Sequence, residues 1–212
     1  MSAISRKTDH IVYAVRDLDK AMDDFEIRLG TRPVFGGYHP TQGTKNALVN
    51  LNEGCYLELL AVDHANQAIK APRWMGIDVL TRPQLTRWAI KSDNLEKDSA
   101  ILKRYQNEMG HIKSGSRNTA DGSLLKWELI MPLSVPEVEL VPFMVDWSAS
   151  EMHPSDYLPD MNCRLLTLYG THPEPEAYAD VCSELGIAFK ITRSKTRTLK
   201  AVIQSPKGRI EL

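Results

Sequence analysis

The feature that most limits what this chain can fold into is a local grammar that it uses three times. An alternating strand, a capped amphipathic helix and a glycine stop recur at a step of about 77 residues, from His10 to Arg87 to Arg164. The first copy reads His10-Ile11-Val12-Tyr13-Ala14-Val15, then Asp17 as a helix cap, then Leu18, Met22, Phe25 and Leu29 at helical spacing, then Gly30. The second reads Arg87-Trp88-Ala89-Ile90-Lys91, a cap at Asp93 or Asn94, an apolar stripe through Leu95, Leu102, Tyr105 and Met109, then Gly110. The third opens with Arg164-Leu165-Leu166-Thr167-Leu168-Tyr169. It enters a helix near Pro173, with Tyr178, Val181, Cys182 and Leu185 on one face, and stops at Gly186. A period of this length is too long for a solenoid and predicts repeated α+β modules.

Strand-like stretches follow each helix, near residues 31–38, 45–51 and 55–62 in the first unit and near 111–117, 123–131 and 140–147 in the second. Asp121-Gly122 signals a hairpin, because a tight two-residue turn needs positive φ at its centre. The third unit has room only for stretches near 187–192, 198–204 and 209–212. The expected fold is therefore α+β: paired βαβββ modules at about 8–63 and 85–148, within residues 1–150, and a shorter third βαββ unit over 160–212. Each sheet keeps one face free, and the free faces of two modules close as a cupped sheet around a cavity. The segment from Glu151 to Pro159 reads as the linker into the third unit.

Composition narrows the partners. Lys plus Arg number 26 and Asp plus Glu 27, so a net charge of -1 offers no broad field for nucleic acid or an anionic membrane, and a small-molecule ligand is expected. Cys55, Cys163 and Cys182 form no CxxC pair, which suits a reducing compartment, by default the cytoplasm. The opening residues reach Asp9 before any apolar run, and no window of eighteen apolar residues exists. Neither a signal peptide nor a membrane span is expected.

Asp9-His10-Ile11-Val12, the segment Gly37 to Asn46 around His39, Tyr56-Leu57-Glu58-Leu59 followed by Asp63, then Arg117, Asp121-Gly122, Trp127 and Pro142-Phe143 through Asp146-Trp147 stand in an order that resembles the vicinal oxygen chelate superfamily. More narrowly, the chain is similar to the glyoxalase-like domain family. The resemblance covers nearly the whole chain and implies the fold more firmly than the reaction, since members of such a family share a scaffold more than a chemistry. Isomerase, lyase and dioxygenase activities all fit it, and a homodimer is one assembly open to it.

Strand alternation sends Ile11, Tyr13, Leu57 and Leu59 to the helix side and His10, Glu58 and Tyr56 to the cavity side, where His10 and Glu58 can meet. The resemblance makes these two positions metal ligands for one divalent ion such as Zn, Fe, Mn or Ni, with His39 completing two histidines and a carboxylate. The second module departs from that pattern. Arg87 takes the place matching His10, no donor near Phe143 matches Glu58, and a guanidinium repels a cation. The alternative is no metal at all, with Arg87 reaching Glu58 as its counter-charge, and this arrangement is the expected one.

Glu58 and His39 are the candidate proton-moving groups. Arg87, Arg117, Trp127, Thr44 and Asn46 are the candidate ligand-binding groups, suited together to a small organic anion. A non-catalytic small-molecule binding protein of the same fold is the rival reading. Arg164 and Glu211 are expected to form an ion pair, and His64, His111, His153 and His172 to lie at the surface.

Overall fold

The structure, a computed structural model, describes residues 6–118 and 124–212. The Asp121-Gly122 turn lies outside the described residues. In the first unit, β1 (Thr8–Ala14) leads into α1 (Leu18–Leu29), followed by β2 (Val34–His39), β3 (Thr44–Asn50) and β4 (Tyr56–Val62). Asp17 caps α1 by accepting from the Lys20 N–H. Gly30 ends it in the left-handed conformation, its N–H on the Glu26 carbonyl. The second unit repeats this with β5 (Gln84–Lys91), α2 (Leu95–Tyr105), β6 (Ile112–Asn118), β7 (Leu124–Ile130) and β8 (Phe143–Asp146). Asn94, the second of the two cap candidates, accepts from the Lys97 N–H.

The helix α2 stops well before Gly110, at Tyr105. Met109 reaches the core from a turn closed by its N–H on the Gln106 carbonyl, so its spacing imitates one more helical turn.

The two units share one eight-stranded sheet, ordered β2-β3-β4-β1-β5-β8-β7-β6. Each half runs through the same connections, and β1 and β5 meet antiparallel at the centre. The sheet curls until its two end strands approach, and Arg117 of β6 donates to the Gly36 carbonyl of β2 across the gap. Ile11, Val15, Leu57 and Leu59 pack outward with Leu18, Phe25 and Leu29 of α1, while Val12, Ala14 and Leu60 face inward with Trp127, Phe143 and Val145. Strand parity on β1 and β4 is therefore as the alternation predicts.

The third unit departs from the repeat. After β9 (Arg164–His172), a 3-10 turn (Pro175–Tyr178) and a short helix (Ala179–Glu184) lead to β10 (Lys190–Arg193), β11 (Thr198–Ser205) and β12 (Gly208–Glu211). Its sheet is ordered β10-β9-β11-β12, so the strand beside β9 in parallel is the first after the helix, where the other units use the last. This sheet covers the outer face of β5, with Phe189 stacked on Trp88 at 4.6 Å, and its apolar side chains join the core of the first two units. The expected Arg164–Glu211 pair does not form. In the register Arg164 stands opposite Gln204 and Glu211 opposite Val202, and Glu211 takes Tyr169 and Lys200 as partners. Among the described residues no helix is long and apolar enough to cross a membrane.

Candidate functional site

β1 and β4 lie side by side in parallel, with Val12 opposite Glu58 and His10 opposite Tyr56. His10 and Glu58 thus project from adjacent strands onto the inner face, Nε2 to Oε2 at 3.9 Å. That gap is wider than a hydrogen bond and leaves room for a proton to pass by way of a substrate atom. The His10 ring also stacks on Tyr56, 4.7 Å between centroids.

The orientation of His10 comes from its own neighbour. Between Thr8 and His10 the strand carries one residue more than β5 opposite it, and this bulge lets Asp9 share a side with His10. The Asp9 carboxylate is wholly buried and meets His10 Nδ1 at 2.6 Å, His153 Nε2 at 2.9 Å and Trp147 Nε1 at 3.1 Å. Burial works against its charge, but the bonds from His10 and His153 outweigh that and hold its pKa at about 2. An ionised Asp9 is matched by the Nδ1–H of His10, and the bond turns Nε2 toward Glu58.

Glu58 is held on its other oxygen by the Asn46 amide at 2.6 Å. The same Asn46 nitrogen lies 3.4 Å from His39 Nε2, and His39 Nδ1 meets the Thr44 hydroxyl at 2.8 Å. Burial is the main cause of a His39 pKa lowered to about 4, so the ring is neutral at pH 7. Gly36 matters here because an added Cβ would stand 2.4 Å from Asn46 Oδ1. Trp127 rests on Gly115 in the same way, an added Cβ falling 2.5 Å from the indole.

His10, His39, Asn46, Glu58, Arg117 and Trp127 line one cavity, closed by Tyr56, Trp74, Phe143 and Trp147. Its free space is about 30 Å3, room for about two waters. Trp127 also borders a surface cleft of about 410 Å3 that includes Thr41, Ser116 and Lys126. A larger hollow of about 520 Å3 runs along α1 beside Arg16 and Arg28, away from these groups. Thr44 touches the site through His39.

Arg87 is the expected site residue that the structure takes elsewhere. Ala89, not Arg87, stands opposite His10 and pairs with Phe143 as His10 pairs with Tyr56. Arg87 lies two residues away along the strand, about 7 Å, and the strand is bulged between it and Leu85. Its buried guanidinium donates to the carbonyls of Thr86, Leu133, Val135 and Glu137 and does not reach Glu58. It clamps the proline-rich stretch of the second unit.

The metal set of His10, Glu58 and His39 is likewise not formed. Both nitrogens of His39 are engaged by Thr44 and Asn46, and the matching positions of the second unit hold Ala89 and Val145. Among the described residues no group of three or more His, Cys, Asp or Glu side chains could hold a metal ion. His10 and Glu58 supply two donors, half of an ordinary shell, so the residues present do not fit a resident divalent cation.

Sequence reasoning named Asp9 and Trp147 only within the resemblance and gave them no role, missed Trp74 and Tyr157, and placed His153 at the surface. His153 is buried on Asp9, and Tyr157 accepts from Arg117. Both come from the segment read as a linker, where α3 (Pro154–Tyr157) closes the site. The one available signal was the aromatic and histidine content of that segment.

A model described as glyoxalase-like domain matches residues 8–186. None of the curated proteins matches the sequence. A hypothetical protein from Staphylococcus aureus of solved structure is similar at 19% identity with a TM-score of 0.65, over 90% of this chain and 87% of that one. Methylmalonyl-CoA epimerase from Mycobacterium tuberculosis is similar at 20% identity with a TM-score of 0.41, over 69% of this chain and 92% of that one.

Proposed function

The chain belongs to the glyoxalase-like domain family, and from that premise we propose that it is an enzyme moving a proton on a small oxygenated, anionic metabolite. The observation that carries this reading is the His10–Glu58 pair. A carboxylate and an imidazole face each other at 3.9 Å in a buried cavity, the imidazole oriented by an ionised aspartate.

Glu58 takes the proton from the carbon next to a carbonyl or carboxylate. The C–H bond breaks, its electron pair moves toward the substrate oxygen, and the proton rests on Glu58. His10 Nε2 receives it in turn as an imidazolium stabilised by Asp9, or Glu58 returns it to carbon. Asn46 fixes the Glu58 carboxylate, neutral His39 fixes Asn46, and Arg117 anchors the anionic end of the substrate. The reaction remains a proton-transfer class, isomerase or lyase in kind. Three unpaired, buried cysteines are in keeping with a reducing compartment such as the cytoplasm.

The test is deuterium wash-in. Two- to five-carbon hydroxy acids and three- to five-carbon oxo acids are incubated with the protein in D2O, and loss of the signal of the C–H next to the carbonyl or carboxylate is followed by NMR. We expect exchange for at least one acid and none with Glu58→Gln. Binding seen by thermal shift with no exchange of any bound acid would replace the enzyme by the non-catalytic binding protein.

A further inference from the structure

When a proton leaves carbon, negative charge builds on the neighbouring oxygen, and some group of the protein has to bear it. The donor set for a divalent cation is incomplete here, with Ala89 and Val145 where a second histidine and carboxylate would stand. Two other groups in the same cavity wall bear on the question. Arg117 is buried, and the partners described for it are neutral oxygens, the Gly36 carbonyl and the Tyr157 hydroxyl. A guanidinium has five N–H donors, so these bonds leave it both charge and donors to offer. Trp74 is also buried, and its Nε1–H has no hydrogen-bond partner among the described residues. Buried indole N–H groups nearly always find one.

Trp74 is held where it is at some backbone cost. It opens a tight turn, Trp74–Val79, in which Met75 has the left-handed φ of 57°. Gly76 follows against the backbone of Val135 and Pro136, so closely that an added Cβ would lie 2.5 Å from Pro136 N. That stretch is the one whose Leu133, Val135 and Glu137 carbonyls Arg87 gathers. The buried arginine that does not enter the site thus braces the turn that carries Trp74 into it.

We propose that the Arg117 guanidinium and the Trp74 Nε1–H form an anion site that bears the oxygen charge of the reaction, in the role that a divalent cation would otherwise fill. The ligand class is a small carboxylate or oxo acid bound without metal: one carboxylate group fills the free space of about 30 Å3 beside Arg117 and Trp74, and the rest of the ligand is seated only by displacing the wall toward the cleft that Trp127 borders. The catalytic part of this proposal rests on the proton-transfer reading above, while the binding part stands on the cavity alone.

Oxalate, a planar dianion with the outline of an enolised two-carbon acid, is the probe. It is titrated calorimetrically into the whole protein in buffer containing EDTA. Binding is expected to survive EDTA. It should weaken about tenfold in Trp74→Phe, which keeps a ring and removes the N–H, and fall below detection in Arg117→Met. Arg117→Lys, which keeps the charge and loses the fork, should bind about tenfold more weakly and serves as the deciding variant if Trp74→Phe does not fold. Glu58→Gln should still bind oxalate while failing to exchange deuterium. Oxalate binding that disappears with EDTA, or that is undiminished in a folded Trp74→Phe, overturns the proposal. Intact, Trp74-dependent binding without any exchange by the wild type supports the anion site and overturns only the proton-transfer reading.

Discussion

Asp9 and His10 are neighbours in sequence whose side chains lie together on the inner side of the sheet, Oδ1 and Nδ1 2.6 Å apart. In a regular strand they would point to opposite faces, and the extra residue in β1 is what joins them. The bulge therefore fixes the orientation of a buried imidazole, and ties it through Asp9 to Trp147 at the end of the second unit and to His153 in the segment that follows.

Asp9 should leave an acid signature. Its pKa is depressed from 3.8 to about 2, burial opposing and the bonds from His10 and His153 prevailing. A depressed carboxylate contributes stability that is present above its unfolded value and lost as pH falls through the folded one. The Asp9 contribution, about 2 kcal/mol, should vanish between pH 4 and pH 2. Urea midpoints across that range should fall less steeply for Asp9→Asn, which starts lower, than for the wild type, the remaining slope belonging to other lowered carboxylates such as Asp160, Glu176 and Glu211.

His39 acts at milder acidity. Burial lowers its pKa from 6.5 to about 4, so between those values the unfolded chain binds a proton that the folded chain refuses. Stability should accordingly drop as pH falls from 6.5 toward 4, by about 3 kcal/mol in all. Thermal unfolding of His39→Gln should show a shallower slope in that window, and an unchanged slope would assign the loss to another group.

Arg87→Met separates the clamp from the pocket. Removing the guanidinium leaves the Thr86 carbonyl buried without its donor and strips donors from three partly buried carbonyls, and should cost about 2–3 kcal/mol. The direct effect is on stability, so Arg87→Met should reduce the denaturant midpoint while adding no repulsion or attraction at Glu58. Oxalate affinity should fall no more than in Trp74→Phe, because Arg87 reaches the site only through the Trp74 turn.

Gly36→Ala should disturb the site with little effect on the fold. The new methyl would meet Asn46 Oδ1 at 2.4 Å and push the amide off Glu58. We expect a modest loss of stability, about 1–2 kcal/mol, with a loss of deuterium exchange at least tenfold. An alanine variant that exchanges at the wild-type rate would show that Asn46 does not hold the carboxylate in place.

Much of this molecule was readable in advance where a signal is local. The caps at Asp17 and Asn94 and the stop at Gly30 follow from side chains that satisfy helix ends within three or four residues. Alternation on β1 and β4 sorts Ile11 and Leu57 from His10 and Glu58, because a strand's period of two needs no knowledge of its neighbours. The repeat itself predicts that two units of like topology build one cupped sheet, and the chemistry of His10, Asn46, Glu58 and Arg117 in one cavity follows from it.

The sequence by itself, then, determined the order of strands and helices in the first two units and the faces of β1 and β4, with His10 and Glu58 on one side. Tertiary structure alone decided the rest, because register, bulges and strand order depend on which strands pair and where. A two-residue offset keeps a side chain on the same face, so counting gave Arg87 the position matching His10 when strand pairing gives it to Ala89. The third unit copies the grammar of the others but not their strand order, since each order satisfies the same local pattern. Trp74 and His153 carry no motif, and Asp9 stands in one that gives it no role. They became part of one site only when a bulge, a strained turn and a connecting segment brought them to the same buried space.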